Sequence, residues 1–249
     1  MFRAYGVTNT GKVRAHNEDS YLVNGDVKSE GSIFIDNAKE IFVAVADGMG
    51  GAEGGEIASN LVLRNLKDSL IILEERAINK DINIINDRIL EATENNIGRV
   101  GMGSTLVAIK VIDDKSAIIN VGDSRVYLYR DGFIRQITKD HTLVQQLYEL
   151  GVIERDEMKT HSKSHFLTQC IGGRKKSIIE PQVILNRKFI EGDILILCSD
   201  GLYNKINEDN LEDLIGKSND IRDIGDKLIN LANELGGDDN ITVVLVQVI

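Results

Sequence analysis

Apolar residues fall in two rhythms along the chain. Short β-branched runs have the length and composition of buried strands: Ile41–Ala46, Leu106–Val111, Ile118–Val121, Ile194–Cys198 and Ile241–Val246. Tyr21–Val23 reads as a further short strand. Elsewhere the spacing is helical. Ala58, Leu61, Val62, Leu66 and Leu70 share one face, and Ile82, Ile85, Ile89 and Ala92 share a second. Ile221, Ile224, Leu228, Leu231 and Leu235 form a third stripe, stopped by Gly236-Gly237. The stripes are core packing and carry no chemistry. Strands at both ends of the chain, with helices between and after them, do not alternate as βαβ units would, so the expected class is α+β. Pro181 is the only proline and there is no Ser/Gly tract, so nothing reads as an interdomain linker. One domain over residues 1–249 is expected. Its most polar stretch, Glu154 to His165, reads as a mobile surface loop.

The informative feature is where the acids fall against these strands. Ile41–Ala46 runs into Asp47-Gly48, Ile118–Val121 into Gly122-Asp123, and Ile194–Cys198 into Ser199-Asp200. In reverse order, Asp238-Asp239-Asn240 precedes Ile241, and Asn17-Glu18-Asp19 precedes Tyr21. An Asp-Gly at one strand end is ordinary turn chemistry. Five acidic strand ends together are better read as a shared site. Carboxylates brought that close raise one another's pKa values and cannot all ionise. Divalent cations resolve the conflict, and an all-oxygen donor set suits Mg²⁺ or Mn²⁺ better than zinc.

Composition narrows the options. Lys+Arg 29 against Asp+Glu 39 gives a net charge of −10, which argues against a nucleic-acid binder. Cys170 and Cys198 form no CxxC pair, so a disulfide framework or zinc site is not expected and a reducing cytoplasm fits best. The first residues lack the apolar core of a signal peptide and no run is long enough to span a membrane, so a soluble protein off the membrane is expected. The glycine-rich Asp47–Glu56 segment is not a phosphate loop, because Glu56-Ile57 stand where Lys-Ser/Thr would be required. It is not a dinucleotide motif either, since Glu53 stands where the third glycine would be. These glycines are better read as letting backbone approach a cation, with the Gly48 carbonyl as a donor.

Seven motifs in order carry a family resemblance. They are Arg14-Ala-His-Asn-Glu-Asp19, Asp47-Gly-Met-Gly-Gly51, Gly103-Ser-Thr-Leu106, Gly122-Asp-Ser-Arg-Val-Tyr127, Thr138-Lys-Asp-His141, Gly192 to Leu202, and Gly237-Asp-Asp-Asn-Ile-Thr242. From Arg14 to its end the chain resembles the type 2C, metal-dependent (PPM-type) serine/threonine protein phosphatases, in the short form of the bacterial branch, as a bare catalytic domain. The resemblance implies a central β-sandwich of two antiparallel sheets flanked by helices on both sides, with a flap at about 142–170. It also implies two Mn²⁺ or Mg²⁺ ions, with a third bound weakly. Asp47 would bridge the pair, Gly48 would offer its carbonyl, and Asp200 and Asp239 would complete the set. Glu18 and Asp19 would anchor waters, Asp123 would serve the third ion, and Arg14 would grip the substrate phosphate. The implied reaction is direct hydrolysis of phosphoserine and phosphothreonine by a water held between two metals. The implied partners are phosphorylated proteins and an opposing serine/threonine kinase, with a monomer expected.

Two departures from the family pattern stand out. Met49 occupies the position of a histidine that many eukaryotic members carry as a candidate general acid. His161 and His165 are possible substitutes, although solvated surface histidines are the plainer reading. Gln169 stands where members often have arginine. His16 and His141 read as structural. Two other readings stay open: a catalytically silent phosphoprotein-binding module, which would predict loss of a metal aspartate, and a hydrolase of small phosphate esters.

Overall fold

The computed structural model describes residues 1–50, 54–70, 72–173 and 177–249. Among these, two antiparallel sheets stack face to face. One runs in the order Phe133–Gln136, Arg125–Arg130, Ile194–Cys198, Ile241–Val248, Phe2–Asn9, Ser32–Ala38. The other runs Ile171–Gly172, Gly103–Ser104, Ile41–Met49, Leu106–Ile112, Lys115–Val121, Gln182–Leu185. Asp19–Val23 pairs with Ile41–Met49 and carries Asp26–Lys28 at its side.

Strand alternation divides the core into three layers. Successive side chains point to opposite faces, so Val43 and Val45 turn inward to meet Leu195, Leu197, Val244 and Val246 of the facing sheet. Ala44 and Ala46 turn outward under the helices Gly54–Lys67 and Glu75–Glu94. On the other side Val243 and Leu245 turn outward under Ile221–Glu234. The five apolar runs fall on strands, and the three stripes fall largely on helices. Leu70 departs from its stripe. The helix ends at Lys67, and Leu70 sits beyond it at φ 58°, still fully buried, with its amide donating to Asp81 Oδ2 at 3.0 Å. The third helix stops at the expected place, with Gly236 and Gly237 at φ 134° and 58°.

Glu154 to His165 is not wholly irregular: Arg155–Glu157 forms a 3₁₀ turn closed by a capping box between Glu154 and Glu157. Among the described residues no helix is long and apolar enough to cross a membrane.

Candidate active site

Register alone gathers the acids. Asp19 opens its strand directly opposite Asp47, and Cys198, just before Asp200, pairs with Val243, four residues after Asp239. Cys198 also pairs with Arg125, two residues from Asp123. In antiparallel pairing, the end of one strand lies beside the start of the next, so all five aspartates reach the same edge of the sandwich. Arg14 joins them, with its Nη2 donating to Asp239 Oδ2 at 2.7 Å.

Glycine makes the floor possible. A Cβ on Gly48 would lie 2.0 Å from the Gly55 carbonyl oxygen and 2.6 Å from that of Glu18. A Cβ on Gly55 would meet the Glu18 carboxyl carbon at 2.7 Å. The start of the helix Gly54–Lys67 can therefore press onto the end of the Asp47 strand only as glycine on glycine. Gly51 and Glu53, also part of the glycine-rich reading, lie outside the described residues.

The electrostatics follow from this crowding. Burial first, then the charges of Asp19, Asp200, Asp123 and Asp239, push the Asp47 carboxyl well above its usual range. Asp19 is pushed up to about 7, chiefly by burial, although the hydroxyls of Ser199 and Thr242 both donate to its Oδ2 at 2.7 Å. Asp123 is raised to about 7 by burial and by Asp200 and Asp140. Asp200 is raised to about 6 by burial and Asp239. Its Oδ2 accepts from Asn204 at 3.2 Å, while its Oδ1 is buried with no hydrogen-bond partner among the described residues. A buried carboxylate oxygen left unpaired is costly.

These features fit a cation: four aspartates each holding its proton too tightly, an orphaned carboxylate oxygen, and hard oxygen donors throughout. Among the described residues no three acidic, histidine or cysteine side chains close on one point tightly enough to hold an ion by themselves.

Several positioning residues were not singled out from the sequence. Asn240 is the main tie: its Oδ1 accepts the Glu18 amide at 2.8 Å, and its Nδ2 donates to the carbonyls of Thr10 and His16, each at 2.9 Å. Ser199 and Thr242 hold Asp19. All three lie inside recognised motifs, so the signal was present without an assigned role. Behind Asp123, Arg125 donates to both oxygens of Asp140, lies 3.7 Å over the Tyr203 ring and donates to Tyr127 at 3.0 Å. Gln169 pairs with the main chain of Glu180 in both directions, at 2.8 and 3.1 Å. His141 Nδ1 accepts the Gly122 amide at 3.4 Å, a structural role as expected.

Known proteins share this sequence and fold. The family profile described as Protein phosphatase 2C matches residues 3–159. The serine/threonine phosphatase stp of Listeria welshimeri is 36% identical over 248 residues, covering 96% of this chain and 93% of its own. The solved serine/threonine phosphatase of S. agalactiae superposes with a TM-score of 0.87 at 29% identity, with both chains fully covered. The catalytic domain of the serine threonine protein phosphatase PstP, solved in complex with 2 manganese ions, superposes at 0.79 with 32% identity over the whole of both chains. With the family profile matching more than half of its length and a relative 36% identical over 96% of it, the chain belongs to the protein phosphatase 2C family.

Proposed function

We propose that this chain removes phosphate from phosphoserine and phosphothreonine side chains of other proteins, using divalent cations held at the acidic edge of the sandwich. The single observation that carries the reading is the convergence of Asp47, Asp200, Asp239 and Asp123, whose mutual repulsion is offset only in part, among the described residues, by Arg14 on Asp239 and by Arg125 beside Asp123. The substrate class is supported by the relatives' names. Manganese, as one of two candidate metals with magnesium, is supported by the PstP complex.

Asp47, the Gly48 carbonyl, Asp200 and Asp239 would hold two cations, with water completing their shells. Asp123 would serve a third. When bound, the cations supply an acidified water and neutralise charge building on the phosphoryl oxygens. Glu18 and Asp19 would hold waters of the shell, a role that suits Asp19, whose Oδ2 is already committed to two hydroxyls.

Arg14 is half-exposed, with its side chain 50% accessible, and spends one nitrogen on Asp239. Its remaining N–H groups can take two oxygens of an incoming phosphate in the planar geometry a guanidinium favours. Asn240 fixes Glu18 and the Thr10 and His16 carbonyls around the approach to this site. Water then attacks phosphorus opposite the serine or threonine oxygen, and no covalent intermediate on the chain is required.

The test is phosphate release from a phosphothreonine peptide with Mn²⁺ and with excess chelator. Turnover is expected to need the metal and to fall by on the order of 10³-fold in Asp200→Ala. Metal-independent turnover, or a fully active variant, would contradict the reading.

A further inference from the structure

Hydrolysis of a serine or threonine phosphate expels an alkoxide, which leaves readily only if a proton reaches it as the bond breaks. The carboxylates of the floor serve as anionic donors in that setting. Met49, directly after Asp47-Gly48, has no proton to give. A cavity of about 240 Å³ opens between the floor and the segment over residues 142–170. Asp123, Tyr203 and Asn204 line it together with Lys159, Ser164 and His165. Asn204 is the residue whose amide donates to Asp200, so His165 faces the acidic site across this space. Its charge is also among those that lower the proton affinity of Asp200.

His165 is itself exposed, and the main chain just after it is tied down. Leu167 bridges antiparallel to Thr142, and the Leu143 amide donates to the Phe166 carbonyl at 2.9 Å. Beside that bridge the His141 amide donates to the Gly122 carbonyl at 2.8 Å, next to Asp123. The other histidine of the segment is placed differently: His161 accepts the Lys163 amide on Nδ1 at 3.1 Å and does not line the cavity. The Tyr203 phenol is a poor donor, since burial drives its pKa well above the usual range. Lys159 presents a point charge suited to holding phosphate oxygens. An imidazole ring carries an N–H that it can give up and regain within one catalytic cycle.

Resting on the phosphatase reading above, we infer that His165 is the proton donor to the departing serine or threonine oxygen. The water oxygen bonds to phosphorus while the P–Oγ bond breaks and its electron pair stays on Oγ. The N–H proton of the His165 ring follows that pair, and the alcohol leaves. The ring regains a proton from solvent, into which the attacking water has released one of its own.

The experiment compares kcat of His165→Gln with wild type on a phosphothreonine peptide and on p-nitrophenyl phosphate, with His161→Gln as control and Mn²⁺ throughout. p-Nitrophenolate departs without a proton, so only the peptide reaction needs the donor. His165→Gln is expected to lose roughly 100-fold on the peptide and less than about threefold on the aryl ester, with His161→Gln changing neither. An equal loss on both substrates, or an unchanged kcat on the peptide, overturns the assignment. A wild type inert on both would overturn the phosphatase reading, and this assignment with it.

Discussion

The strand Ile194–Cys198 has an aspartate at each end, and the two are treated in opposite ways. Asp193 is 1% exposed and fully partnered: Arg130 donates to its two oxygens at 2.6 and 2.5 Å, and the Ile190 amide adds a third bond at 2.9 Å. Asp200, one strand length away, has a buried oxygen with no partner and faces other aspartates. Among the described residues, Arg125 is committed to Asp140, and Arg14 bonds Asp239, so its charge offsets that of Asp200 only in part. The fold can therefore neutralise a buried acid with arginine where it needs only stability. At the other end, on the proposed reading, bound cations would supply the neutralising charge, and that would set a ligand apart from a structural acid.

The contrast predicts a pH dependence with an unusual sign. Asp19 and Asp123 are raised to about 7 and Asp200 to about 6, whereas an unfolded aspartate titrates near 4. Between those values the folded chain binds more protons than the unfolded one. The contribution is thus fully present below about pH 4 and drains away as pH rises through 6 to 7. In chelator, stability against urea should fall over this window by up to about 1.4 kcal/mol per unit for each group. Saturating Mn²⁺ should restore it at pH 7, by about 2.7 kcal/mol at a hundredfold excess over Kd. Chelated protein that gains stability steadily from pH 4 to 7 would show that the acids are not crowded.

A matched pair of amide substitutions sharpens the comparison. Asp193→Asn strips Arg130 of its counter-charge and should cost about 2 to 3 kcal/mol, a buried-pair loss discounted because Arg130 is a third exposed. Asp47→Asn should move the other way in chelator, gaining about 1 kcal/mol through relief of repulsion while phosphatase turnover is lost. Urea denaturation of both variants decides the matter. Two changes of the same sign would erase the distinction between the ends.

Much of this was legible in the sequence because burial and period are local signals. The continuous apolar runs marked the central strands, and the acids at their ends marked the site. Phe2–Asn9 and Ser32–Ala38 were not legible as strands, since polar residues and Gly6 interrupt their apolar positions. Leu70 kept its burial but not its helix, because one buried leucine satisfies either periodicity. The role of Asn240 was hidden for a different reason. It ties to Glu18, 222 positions away, through a main-chain amide that no sequence pattern encodes. His165 was legible only as one of two possible substitutes for the missing acid, and its place lining the cavity, which His161 does not share, separates the two.

The central claim is that the acids at one edge of the sandwich await cations. Calorimetric titration of Mn²⁺ into wild type and Asp47→Asn at pH 7 addresses it directly. Two well-defined ions per wild-type chain are expected, with clear loss of uptake in the variant. Undiminished binding by Asp47→Asn, or no binding by the folded wild type, would contradict it.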